Sequence, residues 1–262
     1  MSILDILKER KMENEEPEEK KEGYVKLTEL KKKSDKPVKK KTEKPKKKII
    51  EKPKEIILRS ANPRRKGYFI VFEGIDGAGD TTQTKRLYKY FEEKRKNVEI
   101  VHYPEYESPV GKLIHEFLHR KIDLSSEVQF LLYSTDMIKD RDKIEGWLKE
   151  GKIVIADRYF TSTISYQALD NMSMPNIKRF SGIFGIPKPD VVIYLKAKAE
   201  TGIKRKVSGK IGLDRFESNE KLLEKISSNY NKMAQKNIFG KWIIVNGEKT
   251  KDEVFEEIIK KL

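Results

Sequence analysis

Apolar positions over residues 66–262 fall into short runs separated by stretches of helical spacing. Residues 68–72, 98–103, 152–156, 190–195 and 242–246 are the runs, rich in Ile, Val, Tyr and Phe, and each reads as a buried strand. Between them the spacing changes to three and four. After the first run Leu87, Tyr88 and Phe91 share a helix face, and helices are predicted over 110–119, 128–148, 199–205, about 17 residues from Asn219, and 251–262. Strands that alternate with helices in this way predict an α/β domain with a five-stranded parallel sheet and helices on both faces. Ligands of such sheets sit at the carboxyl ends of the strands. Glu73, Pro104, Asp157 and the loop after Lys196 all fall there.

The first strand runs into Gly74-Ile-Asp-Gly-Ala-Gly-Asp-Thr81, a glycine-rich loop ahead of a helix. Glycines let successive N–H groups converge on an anion, and the helix start adds the positive end of its dipole. Set against G-x-x-x-x-G-K-[ST], the loop fits at Gly74, Gly79 and Thr81 and departs at the lysine, where it carries Asp80. A glycine turn in this place also occurs in α/β domains that bind nothing.

Composition narrows the chemistry. The 262 residues contain no cysteine, which excludes disulfides and thiolate chemistry, and only three histidines. His115 and His119 lie four apart on one helix, but no acidic partner motif accompanies them, so a metal clamp is not the favoured reading. No apolar run approaches the ~18 residues of a membrane span, and the start lacks a signal-peptide core; a cytoplasmic protein with no membrane partner is expected. The net charge of +15 divides into +9 over residues 1–65 and +6 over 66–262. Residues 31–54 hold 13 lysines against Asp35, Glu43 and Glu51, broken by three prolines. Such a segment buries too little apolar surface to offset its ordering entropy. A disordered basic extension over 1–65 is therefore expected ahead of the domain at 66–262. Its lysines are either a solvated surface of the kind enriched in heat-adapted proteins or an arm for nucleic acid or another polyanion.

A wider set of motifs resembles the thymidylate kinases, the family of P-loop nucleoside monophosphate kinases. Phe72-Glu-Gly-Ile-Asp-Gly-Ala-Gly79 with Thr81-Thr-Gln83 carries the likeness first. Tyr103-Pro-Glu105, Leu131-Leu-Tyr133, Asp157-Arg-Tyr159, Ser162, Ser165-Tyr-Gln167, Pro187-Lys-Pro-Asp190 and Asp214-Arg-Phe-Glu217 follow in order. The resemblance implies a P-loop NTPase fold, ATP and Mg²⁺ as cofactors, phosphorylation of thymidine monophosphate (dTMP) to the diphosphate, and the homodimer usual in the family. It implies that residues 74–82 (Gly74, Ile75, Asp76, Gly77, Ala78, Gly79, Asp80, Thr81 and Thr82) form the cofactor loop, with Thr81 and Asp157 at the metal. Asp76, Glu105, Tyr133, Arg158, Tyr166 and Gln167 would hold the monophosphate substrate. Arg158 and Asp157 would act at the transferring group, and a lid over about 204–217 would add Lys204, Arg205, Lys206, Lys210 and Arg215.

Three positions leave the family's pattern, and each removes positive charge: Asp80 for the loop lysine, Tyr106 for an arginine at the acceptor phosphate, and Met137 for an arginine on the base edge. Unit charges about 4 Å apart interact by roughly 4 kcal/mol at an effective dielectric near 20, and a lysine-to-aspartate change reverses that sign. Three readings follow: a thymidylate kinase of impaired activity, an inactive relative acting through protein contacts, and a nucleic-acid-associated protein using its basic arm.

Overall fold

The computed structural model describes residues 56–60, 62–168, 172–208 and 214–262. The basic run at 31–54, and Lys210 of the expected lid, lie outside the described residues. The five strands expected from sequence form a single parallel sheet: β1 (Tyr68–Gly74), β2 (Val98–His102), β3 (Ile153–Asp157), β4 (Val191–Lys196) and β5 (Lys241–Asn246), in the order β2-β3-β1-β4-β5. The central strands β1, β3 and β4 are buried along almost their whole length, which is why they read as unbroken apolar runs instead of alternating ones.

Register fixes what meets at the carboxyl edge. Phe72 pairs with Asp157, Asp157 with His102, and Gly74 with Leu195. The chain leaves β1 toward β2 on one side and leaves β3 toward β4 on the other, so the crevice beyond β1 and β3 is the switch point at which such sheets bind ligands.

Helix α1 (Asp80–Glu93) follows β1 and buries Leu87 and Phe91 against the sheet. Helices α2 (Pro109–Leu118) and α3 (Ser126–Ile138) start at Ser108 and Ser125, whose side chains accept from Gly111 N and Val128 N. The single helix expected over 128–148 is two: α3 ends, and α4 (Arg141–Lys149) begins after Asp140, whose backbone has left the helical region at ψ 2°. Polar bonding at the junction explains the break. Asp140 accepts from the Tyr103 hydroxyl at 3.1 Å and from Lys139 Nζ at 2.7 Å, tying the turn to the end of β2.

After β3 come a single turn, α5 (Phe160–Thr163), and a wider π-turn at Ile164–Ala168. Helix α6 (Met174–Ile183) is absent from the sequence reading; its Ser173 cap and a proline in the first turn were the signals for it. Helices α7 (Ala199–Ser208), α8 (Glu220–Gln235) and α9 (Lys251–Lys261) complete the domain, α9 with a Thr250/Glu253 capping box. No described helix is long and apolar enough to cross a membrane.

The residues just ahead of Lys66 are fastened to this core. Leu58 packs against it, Ser60 donates to Asp190 at 2.5 Å, and Arg65 pairs with Glu145 and bonds the Lys188 carbonyl. Asp190 also accepts from Phe69 N, so the Pro-Lys-Pro-Asp motif ties the start of β4 to β1.

Candidate functional site

A cleft of about 1130 Å³ opens at the carboxyl edge, floored by Asp76 to Lys85 and walled by residues following β2, β3 and β5. Gly77 and Gly79 take φ of 79° and 105°, backbone that residues with a Cβ rarely adopt. Gly79 precedes α1 without a side-chain cap, which leaves the first N–H groups of that helix available to an anion. Helix α7 backs the loop closely. A Cβ at Gly77 would lie 2.4 Å from Gly202 O, and one at Gly202 would lie 2.3 Å from Asp76 O. Arg205, expected in the lid, instead braces the loop from behind: its guanidinium donates to Gly77 O at 3.2 Å, Ala78 O at 3.3 Å and Gly247 O at 2.9 Å. It still lines the cleft.

Asp80 is buried, and its side chain turns toward Arg158 across the crevice, Oδ2 standing 2.9 Å from Nη2. The approach lies off the hydrogen-bonding direction, so Oδ2 is charge-paired yet has no hydrogen-bond partner. The same nitrogen donates to Asp76 Oδ1 at 2.8 Å, and Nη1 to Gly74 O at 3.0 Å. Asp76 Oδ2 accepts from the Tyr166 hydroxyl at 2.9 Å. Arg158 itself sits at φ 66°, a strained left-handed conformation held by its N–H on Phe72 O. Burial works against its charge, but Asp80 and Asp76 outweigh that and hold it firmly protonated.

Burial pushes the Asp80 carboxyl up to about 6; Arg158 opposes the shift, while Asp157 and Asp76 add to it. Asp157 is raised as well, by burial, against the Thr81 hydroxyl and Arg158. A carboxyl whose folded pKa lies above its unfolded value near ~3.9 stabilises the fold fully below that value and loses the contribution as pH rises through the folded pKa. Ligand-free protein is therefore expected to lose stability between pH 4 and 7.5, by about 3 kcal/mol from Asp80. Asp214, also raised to about 6 and mainly by burial, acts in the same direction. Denaturant titrations of the parent and Asp80→Asn across this range check it; curves that stay parallel would refute the assignment.

Glu73 is a hub that sequence reasoning placed at the edge without giving it a role. Fully buried, it accepts from Tyr159 N, Ser162 N and Thr161 Oγ1 on Oε1, and from Ser162 Oγ and Tyr230 OH on Oε2. Five donors converge on it, which fixes the turn that carries Arg158. Burial raises its pKa, with the hydroxyl bonds and Arg158 opposing. Tyr230 comes from α8, far along the chain, so the hub could not be read from local pattern.

The rest of the expected set is divided. Thr81 and Thr82 line the floor, and Tyr133, Tyr166 and Gln167 line the wall beside Tyr106 and Met137. Gln167 is buried with Oε1 unpartnered. Met137 is buried and receives only a weak contact from Thr163 Oγ1 at 3.8 Å. Ile75 points into the core. Glu105 turns away to pair with Lys139 at 2.7 Å, and it is the Glu105 N–H that bonds Asp136. Arg215 is not brought to the cleft: its guanidinium is taken by Phe117 O, Ile122 O and Asp123. Lys204 pairs with Glu200 on the exposed face of α7, while Lys206 lines the cleft and pairs with the buried Glu217 at 2.7 Å.

The glycine cradle at a helix start, set at the switch point of a five-stranded parallel sheet, defines the P-loop class of α/β proteins. Within it the chain belongs to the thymidylate kinase family, whose model matches residues 72–258. It is 34% identical to the probable thymidylate kinase of Pyrococcus abyssi, over 74% of this chain and 95% of the relative. It is 29% identical to the thymidylate kinase of Dictyostelium discoideum (74% and 84% covered) and to that of Homo sapiens (74% and 89%).

Proposed function

We propose that the cleft binds ATP with Mg²⁺ and a nucleoside monophosphate, thymidine monophosphate on family grounds, and transfers the γ-phosphoryl group to the acceptor's phosphate at a rate held down by Asp80. The observation that carries this reading is the 2.9 Å pairing of Asp80 with Arg158. Phosphoryl transfer asks a protein chiefly to position two anionic partners and to supply charge where phosphoryl oxygens gather it. Arg158 is the cation best placed to do so, and in the ligand-free protein two carboxylates share it.

Backbone N–H groups of the loop from Gly77 to Thr82 would receive the donor phosphates. A divalent ion suits the oxygen donors present: the Thr81 hydroxyl and an Asp157 carboxylate whose Oδ1 is buried without a partner. When bound, it would neutralise charge between the donor phosphates. The Tyr133, Tyr106 and Met137 wall would hold the acceptor base, and Asp76 with Tyr166 its sugar. For transfer, Arg158 must exchange Asp80 for a phosphoryl oxygen, and Asp80 then faces that oxygen as a like charge.

A coupled assay with ATP, Mg²⁺ and thymidine monophosphate is expected to show slow, metal-dependent turnover. Calorimetric binding of both nucleotides with no turnover above the blank would overturn the transfer step and leave a nucleotide-binding member of the family. Running uridine and cytidine monophosphates alongside tests whether Met137 relaxes the choice of base.

A further inference from the structure

A parallel sheet gathers every segment that leads into a strand at one edge and every segment that leaves one at the other. Here the two edges differ in charge. The five residues ahead of each strand include ten Lys or Arg against three Asp or Glu, whereas the five residues after each strand include four against five. Lysine enrichment that only solvates the surface would favour neither edge. Helix C-termini attract cations within their last turn, which accounts for Lys149 at the end of α4. It does not account for Arg64, Arg65 and Lys66, because no described helix precedes β1.

Arg65 and Lys152 are committed, the first to Glu145 and the second to Glu99 and Glu150. Arg95, Lys149, Lys66, Lys188 and Lys236, one ahead of each strand in the order β2-β3-β1-β4-β5, are exposed. With neighbouring strands about 4.8 Å apart, this row runs about 20 Å along the amino edge, at the far end of the strands from the cleft. The chain also joins the domain here, where Ser60 bonds Asp190 just ahead of β4 and Arg65 bonds the Lys188 carbonyl. The 13 lysines of residues 31–54, outside the described residues, precede that point in the chain.

We propose that the amino edge of the sheet is a docking surface for duplex DNA, contacted through its phosphates without reading of base sequence. Duplex DNA carries one negative charge per about 1.7 Å of its axis, and Lys and Arg that meet phosphates release condensed counterions. A row of cations along the strand starts suits such a rod better than it suits a membrane plane. Docking there goes beyond the nucleotide chemistry of the cleft and does not depend on it.

Fluorescence anisotropy of a labelled duplex of about 20 base pairs, titrated with the full-length protein between about 50 and 200 mM salt, gives the affinity and its salt slope. Combining Lys66→Gln, Arg95→Gln and Lys188→Gln removes three phosphate contacts. The slope of log K against log salt is expected to flatten by about 2 to 3, with affinity falling on the order of tenfold or more. A second variant, Lys112→Gln with Lys198→Gln and Lys221→Gln, loses the same charge from exposed lysines toward the carboxyl edge and is expected to stay near the parent slope. Equal losses in the two variants would overturn the surface, leaving a general charge effect. An unchanged slope in the first would overturn it as well, placing all retention in the basic arm. Tighter binding of a single strand of the same length would overturn the choice of duplex. A duplex that fails to bind at about 50 mM salt would overturn the proposal, and retention on phosphatidylserine vesicles in that case would point to a membrane surface instead.

Discussion

Asp80→Lys is expected to bind ATP more tightly than the parent and to turn over faster, on the order of a thousandfold. The magnitude follows from charge and distance. A lysine rooted at the first turn of α1 places an ammonium where the parent holds a buried carboxylate, a reversal worth ~8 kcal/mol at 4 Å and an effective dielectric near 20. Halving that for screening and for the displaced partner leaves ~4 kcal/mol, nearly three decades at ~1.36 kcal/mol each. The substitution also frees Arg158 of one of its two paired carboxylates, leaving Asp76, so that it reaches a phosphoryl oxygen without first leaving a second carboxylate. Titration calorimetry with ATP and steady-state rates with thymidine monophosphate measure both parts. Unchanged ATP binding would show that something other than the charge at position 80 limits the loop. Tighter binding with an unchanged rate would place the limit on the acceptor side, where Tyr106 and Met137 stand.

Glu73→Ala is expected to cost about 3 to 5 kcal/mol of stability, the range for stranding the partners of a buried charged group. Five donors lose their acceptor at once, and none of the Tyr159, Thr161, Ser162 and Tyr230 groups involved faces water instead. In a domain of about 200 residues that corresponds to a fall in Tm on the order of 10 °C. Glu73→Gln keeps the size but turns an amide N–H₂ toward hydroxyl and backbone donors, so it is expected to recover only part of the loss. Activity is expected to drop in both, because the turn after β3 that Glu73 pins also aims Arg158. A denaturant midpoint shifted by less than the equivalent of ~1 kcal/mol would mean that water or a shift of the turn satisfies those donors.

Most of the scaffold was legible because it depends on local periodicity. The central strands β1, β3 and β4 are nearly continuous apolar runs buried on both sides, and the edge strands β2 and β5 are short β-branched segments with part of one face open. Where tertiary bonds compete with the local pattern, the reading failed. Helical spacing continues through Asp140, yet the chain breaks there because Tyr103 and Lys139 bond its side chain. Arg215 and Arg205 look alike as cations near a lid, but one is consumed by the carbonyls of Phe117 in the last turn of α2 and of Ile122 beyond it, and the other braces the P-loop while still lining the cleft. Glu105 follows the expected motif and then turns to Lys139.

The sequence by itself determined the sheet, the glycine cradle, the family and the presence of an acid where the loop pattern has a lysine, since each is written in the identity and spacing of neighbouring residues. Only the tertiary structure decided what that acid touches. Arg158 lies 78 residues beyond Asp80 in the chain and meets it because β1 and β3 are adjacent in register, so that the loops at their carboxyl ends share one crevice. Side-chain pairing across a sheet edge depends on strand order and register, and neither is stored in any one segment of the chain.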